Sequence, residues 1–487
     1  MLFSSLTFLY AFLPLSLLAY ARCRTLQQRN TALLVSSLIF YFWGEPLYVL
    51  LLLGMSLADW FIALRIEQCE NPTLRRLWLI AACVINLGLI GFFKYSGLAF
   101  SLFGDVPEFI KNIALPLGIS FYTFQLLSYV TDVYRGDAAA QREYRNVLLY
   151  AALFHQCIAG PIVRYKTISE ELFVERHELD SLADGVYRFA IGLGKKVLLG
   201  NVCGELADAL LLSDAAISGG TSVADAAAQL SGIPVVGVWL GMFAYMLHIY
   251  LDFSGYSDMA IGLGLMVGLH YPENFNYPYI SKSVTEFWRR WHISLSTFFR
   301  DYVYIPLGGS RSGLRRTIIN LFIVWALTGL WHGASFTFVL WGIYYFGFLV
   351  LEKLYLKDKL EKLPKFVPWL YTMLVVFFGW TIFKFTDMHL LGTVFKGMLG
   401  LNGNPFTSFQ VKLFFENRVY ILLVSMLCCT PLLKKLDYAL SALTANSERL
   451  TSIYRTAHYC IIPSVILVLS TAMLVGGSYN PFIYFHF

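Results

Sequence analysis

Two histidines stand out by their setting. His332 lies in the apolar run GLWHGASF, directly after Trp331 and before the flexible stretch Gly333-Ala334-Ser335. A neutral imidazole in that setting can take a proton from a hydroxyl or thiol, which is general-base chemistry. The alternative is a histidine hydrogen-bonded across a helix bundle. His292 follows Trp291 and the pair Arg289-Arg290. It reads either as an interfacial residue of an aromatic belt or as a second polar group of the same reaction chamber, placed to orient a thioester or to stabilise charge on its carbonyl oxygen.

A cationic group accompanies them. Arg289, Arg290, Arg300 and Lys282 read as a patch for anionic lipid headgroups or for the phosphates of a nucleotide-bearing thioester donor. Asp252 and Asp258, in YLDFSGYSDM, read as hydrogen-bonded or ion-paired groups that clamp the arginines of the 281–342 stretch. The nine histidines are scattered and show no metal-ligand spacing. No GxxxxGK, HExxH or GxSxG motif is present. Gly262, Gly264 and Gly268 do not fit a dinucleotide fingerprint and read instead as close helix packing.

The elements that must carry these residues are helices in a membrane. The 487 residues are 57% hydrophobic and only 14% charged, too apolar for a soluble chain of this length. Runs of about 20 apolar residues, the length of one span, recur throughout. No stretch is polar enough and long enough to build a separate soluble core, so residues 1–487 are expected to form one membrane-embedded domain with 281–342 as its centre. The expected fold is an all-α polytopic integral membrane protein of about ten to twelve transmembrane or re-entrant helices. The net charge of +6 suits basic cytoplasmic loops better than nucleic acid. The eight cysteines include no CxxC pair and read as small apolar residues. The N-terminus lacks a basic region ahead of its apolar run and reads as a retained first span.

The basic loops 21–30, 65–76 and 135–145 are expected on the cytoplasmic side, with the N-terminus outside. The segment 147–162 reads as a piece that enters the membrane with or without crossing it. Residues 204–233 carry four acids and no Lys or Arg, and are expected outside. Residues 234–255 cross back and 259–269 form a separate short apolar piece. VTEFWRRWHISLSTFF places Phe287, Trp291, Ser294 and Phe298 on one side of an interfacial or re-entrant helix. Residues 317–330 enter the membrane, 331–333 interrupt the helix, and 335–351 continue it. The Lys/Glu loop 353–365 is placed inside.

With these motifs on the page, the chain resembles the membrane-bound O-acyltransferase family, and within it the bacterial alginate O-acetylase branch. The resemblance rests on SFYTFQLLSYVTDVYRGD (120–137), AGPIVRY (159–165), YLDFSGYSDMAIGLGLMVG (250–268), ENFNYPYISKSVTEFWRRWHISLS (273–296), RDYVYIPLGGSR (300–311), GLWHGASFTFVLWG (329–342) and NPFIYFHF (480–487). It covers nearly the whole chain. It implies an acyl transfer from an intracellular thioester, acetyl-coenzyme A or similar, through a membrane-embedded histidine that matches His332, with the second characteristic histidine at His292. It also implies a central catalytic funnel from the cytoplasm meeting a cavity from outside. A separate extracytoplasmic partner of the SGNH-hydrolase type is implied, with a polysaccharide acceptor, in the bacterial cytoplasmic membrane. Peptidoglycan O-acetylation or D-alanyl transfer to teichoic acid on the same fold is the nearest alternative, and a transporter without acyl chemistry is a further one.

Overall fold

A computed structural model of the chain describes all residues except 105, 112, 174–178, 213–220, 478 and 482–487. The described residues form helices and no strand. Among the described residues, seven helices are long and apolar enough to cross a membrane, or eight if the pair Phe409–Cys428 and Leu432–Thr444, bent by 66°, is one span. Phe8–Arg22 is a shorter apolar helix.

The helices sort into two compact units. One comprises residues 1–189 and 256–273, the other 190–255 and 274–487. In the first unit the helix Ile119–Arg135 is almost wholly buried. Residues 113–118 are not helical. Pro116 interrupts the helix pattern, and Gly118 adopts φ +74°, a left-handed conformation that only glycine takes freely. A Cβ there would also sit 2.9 Å from the Ile158 Cα. Tyr144–Ala152 is a nine-residue helix, too short to cross a membrane by itself. Arg188 holds both Asp258 (Nη2 to Oδ1, 2.6 Å) and Glu273 (Nη2 to Oε2, 2.6 Å). Gly185 and Gly262 let two helices touch: a Cβ on Gly262 would lie 2.6 Å from the Phe189 nitrogen.

Residues 235–266 form one continuous 32-residue helix, where two apolar pieces are expected. Its glycines sit where neighbouring chain packs close against it. In the second unit a Cβ on Gly255 would lie 2.7 Å from the Gly192 carbonyl oxygen. Residues 204–210, expected outside, belong to the mostly buried helix Asn201–Leu210.

In the second unit the expected continuation after His332 is a reversal. Gly313–His332 and Phe336–Leu351 are two helices packed antiparallel. Trp325 meets Trp341 and Tyr345, with ring centroids 5.9 and 5.6 Å apart. Gly329 and Gly342 sit at the crossing, and a Cβ on Gly329 would lie 2.5 Å from the Phe338 carbonyl oxygen. Without side chains at these two positions the helices approach until their backbones touch. Ser335 caps the second helix by accepting from the Thr337 N–H.

Candidate active site

All of the site's groups lie in the second unit. His332 is the last residue of its helix and is 7% exposed. Its ring is enclosed by Trp331, Trp341 and Phe383 at 4.9, 5.0 and 5.0 Å between centroids. The helix cannot run on, because Gly333 is fully extended and the Phe338 ring occupies the space a Cβ at 333 would need. The helix end therefore presents His332 at the turn of the hairpin.

His292 is reached differently. The expected single helix over 284–299 is two short ones, Val284–Arg290 and Ile293–Phe299, with a break at Trp291-His292. His292 takes φ +44°, a left-handed conformation that costs a non-glycine residue of order 1–3 kcal/mol. Asn274 supplies the compensation. Its backbone oxygen accepts from the Ile293 N–H at 2.9 Å. Its Oδ1 accepts from Ser294 Oγ at 2.8 Å and lies 3.0 Å from His292 Nδ1. An amide oxygen only accepts, so Nδ1 carries the proton and the lone pair is on Nε2. His292 is 2% exposed, and burial lowers its pKa to about 3, so the ring is neutral in the physiological range.

The two histidines converge on Trp331. The His292 ring lies 6.1 Å from it and the His332 ring 4.9 Å. Trp341, 5.0 Å from the His332 ring, completes the wall, and Trp288 packs edge to face on Trp341 at 5.4 Å. The indole N–H groups of both are buried and lack a hydrogen-bond partner. A site with two buried imidazoles and a buried N–H donor, walled by aromatic rings, suits proton transfer coupled to charge development on an oxygen.

The arginines do not stay together. Arg289 is exposed and lines a cavity with Lys282. Arg290 turns to Glu286 (Nε to Oε1, 2.9 Å) and to the Asn276 carbonyl. Arg300 pairs with its neighbour Asp301 at 2.7 Å. Asp252 and Asp258 do not clamp these arginines: Asp252 pairs with Lys196 at 2.7 Å and Asp258 with Arg188. Each partner comes from the helical stretch 179–210, whose cations reach inward to the nearest buried carboxylates. The described part of the C-terminal motif joins the first of these pairs, since Lys196 Nζ donates to the Pro481 carbonyl and Asn201 Nδ2 lies 3.2 Å from Asn480 Oδ1. Residues 482–487 of that motif lie outside the described residues. Among the described residues no cluster of side chains suits a metal ion.

Asn274, Trp288 and Trp341 are not evident as site residues from sequence. The one available signal for Asn274 is its place in a non-helical ENFNYP run just ahead of the histidine motif.

The profile of the membrane-bound O-acyltransferase family matches residues 141–393, a stretch that contains both histidines and Asn274. The chain belongs to the membrane-bound O-acyltransferase family. It is an O-acyltransferase and a multi-pass membrane protein. It is 40% identical over 406 residues to a Pseudomonas aeruginosa protein named probable alginate O-acetylase AlgI, covering 82% of this chain and 75% of that one. A protein of the same name from Azotobacter vinelandii is 35% identical over the full length of both chains. The peptidoglycan O-acetyltransferase of Helicobacter pylori is 32% identical, over 83% of this acyltransferase and 80% of its own length.

Proposed function

We propose that this acyltransferase takes an acetyl group from a cytoplasmic thioester, acetyl-coenzyme A or a similar donor, and passes it across the bacterial cytoplasmic membrane for O-acetylation of an exported, alginate-like polysaccharide. The observation that carries the reading is the convergence of two buried histidines on Trp331, in a chain whose relative matched over its full length carries the name probable alginate O-acetylase. His332 accepts the proton of an acceptor hydroxyl as its oxygen attacks the thioester carbon. A C–O bond forms, and the carbonyl becomes a tetrahedral oxyanion. The C–S bond then breaks, the carbonyl re-forms, and the thiolate leaves with the proton held by His332.

His292, with its proton on Nδ1, offers an acceptor at Nε2. That suits orienting a donor X–H group of the substrates, and leaves the oxyanion to the indole N–H group of Trp341. Arg289 suits a donor phosphate, whereas Arg290 is held by Glu286 and Asn276. An extracytoplasmic partner of the SGNH-hydrolase type completes transfer to the polymer.

The test is ester-linked acetate on the envelope polysaccharides of cells carrying wild type, a deletion, or His332→Ala at matched protein level. Equal loss of acetate in the last two supports the reading, and the polymer that loses it names the acceptor. Acetate retained by His332→Ala overturns the role of His332.

A further inference from the structure

The short helix Val284–Arg290, which leads to His292, is gripped by a residue far along the chain. Glu352 follows the second helix of the hairpin and is 3% exposed. Its Oε1 accepts from the Val284 N–H at 2.6 Å. Its Oε2 accepts from the Thr285 N–H at 2.9 Å and from the Thr285 hydroxyl at 2.6 Å. The first N–H groups of a helix have no partner within it, and a neighbouring side chain commonly serves. One is present here, since Ser283 Oγ accepts from the Glu286 N–H at 3.0 Å. The two N–H groups ahead of Glu286 are left to Glu352, so both carboxylate oxygens are committed to one point of this helix. A buried carboxylate needs such donors, and these three all belong to the helix that leads to His292.

The same helix meets the hairpin again one turn further on. The Trp288 ring packs on Trp325, Trp341 and Tyr345, at 4.8, 5.4 and 4.7 Å between centroids. Trp325 belongs to the helix that ends at His332, and Trp341 walls the His332 ring. Glu352 and Trp288 therefore anchor one seven-residue helix on one hairpin. A helix so short has little stability of its own, and its place is set by what grips it. Ring contacts tolerate sliding along the axis, whereas short hydrogen bonds to one carboxylate do not. Glu352 sets the register, Trp288 the spacing, and Asn274 the turn at the far end.

The structure assigns Glu352 as a positioning residue of acyl transfer. It holds the helix that leads to His292 in register with the hairpin that carries His332, and so sets how the two imidazoles approach Trp331. Glu352 lies eleven residues from Trp341, about 16 Å along the helix. It acts through the elements it joins and not on the reacting atoms. This rests on the roles given to the two histidines above and adds what keeps them together.

Two measurements on the full-length protein test it. The first is ester-linked acetate per folded molecule in cells carrying Glu352→Gln, Glu352→Ala, His292→Ala or His292→Ala/Glu352→Ala. Glu352→Ala is expected to lower acetate on the order of 100-fold, the effect of a displacement near 1 Å at a reacting group. Glu352→Gln keeps one acceptor oxygen and is expected to lose about tenfold, the scale of one hydrogen bond. It carries both measurements where the alanine variant yields no folded protein. Once His292 is gone the register matters little, so Glu352→Ala is expected to add less than about threefold to the loss in His292→Ala. Losses that multiply, or full acetate in Glu352→Ala, overturn the proposal. The second measurement is hydrogen exchange of purified Glu352→Gln. Uptake is expected to rise over 283–292 and to stay near wild type over the hairpin helices. Uptake unchanged over 283–292, or raised along the whole chain, overturns it as well. Exchange does not depend on the cargo. If a deletion leaves envelope acetate intact, the acetyl reading falls, while exchange still decides whether Glu352 holds this helix.

Discussion

Asn274 Oδ1 and His292 Nδ1 lie 3.0 Å apart, and the same oxygen also takes the Ser294 hydroxyl. One amide oxygen thus fixes both the tautomer of His292 and the left-handed turn that aims it. Asn274→Ala removes that acceptor and is expected to lower acyl transfer by about 100-fold, the scale of a mispositioned proton-transfer group. Asn274→Asp keeps an acceptor at the same reach and is expected to retain most of the rate, with a shifted pH profile because a carboxylate favours the protonated ring. Full activity in Asn274→Ala at matched protein level would remove Asn274 from the mechanism.

Neutrality of His292 has its own consequence. Burial lowers its pKa from 6.5 to about 3. The folded state therefore gains from the neutral ring above about pH 6.5, and that gain is lost progressively as pH falls toward 3. By pH 5 the wild type is expected to have lost about 2 kcal/mol from this one group. His292→Gln does not titrate, so its thermal midpoint in detergent should fall less between pH 7.5 and pH 5. Equal falls for the two proteins would mean that His292 is accessible to water and protons in the folded state.

The two histidines are legible in sequence because a tryptophan-histidine pair inside apolar surroundings is costly without a use. What holds them is not. Helical spacing puts Phe287, Trp291, Ser294 and Phe298 on one side of a helix, and predicts no break at His292, since the break is made by Asn274, eighteen residues away. Asp252 and Asp258 read correctly as paired groups, but periodicity identifies a face and not the distant element that meets it. Their partners, Lys196 and Arg188, depend on how the glycine-lined helices close. The reversal after His332 is hidden for a related reason. Two apolar segments around a short polar interruption read the same whether the second continues the first or turns back on it. Only the contact between Gly329 and Gly342 decides.

The pair Lys196–Asp252 is almost fully buried, with side chains 1% and 0% exposed. Removing one partner strands a charge in the interior, at a cost of about 3–5 kcal/mol. Lys196→Met and Asp252→Asn are each expected to lower the thermal midpoint and the yield of folded protein. The double variant Lys196→Met/Asp252→Leu is expected to recover much of that stability, because a well-packed apolar pair replaces a desolvated ionic one. A double variant that recovers stability but not activity would place the pair, with its contact to Pro481, in function as well as in folding. One no more stable than either single variant would show that the hydrogen bonds from Lys196 to Asn201 and Pro481 matter more than the charge balance.

Gly342 fixes the spacing of the hairpin whose turn carries His332. A Cβ there would collide with the Trp325 carbonyl oxygen and lie 3.4 Å from the Gly329 Cα. Both are backbone atoms, so the helices themselves must separate. Gly342→Ala is expected to cost about 1–3 kcal/mol, as overpacking does elsewhere. It should also lower activity by more than the loss of folded protein accounts for, since Trp341 moves with its neighbour and walls the His332 ring. Ile343→Ala, at a 44% exposed position on the same helix, is the control and should leave both nearly unchanged. The measurement is the thermal midpoint together with acetyl transfer per folded molecule. An unchanged midpoint in Gly342→Ala would mean that the hairpin has slack at the crossing, and that some other contact sets the position of His332.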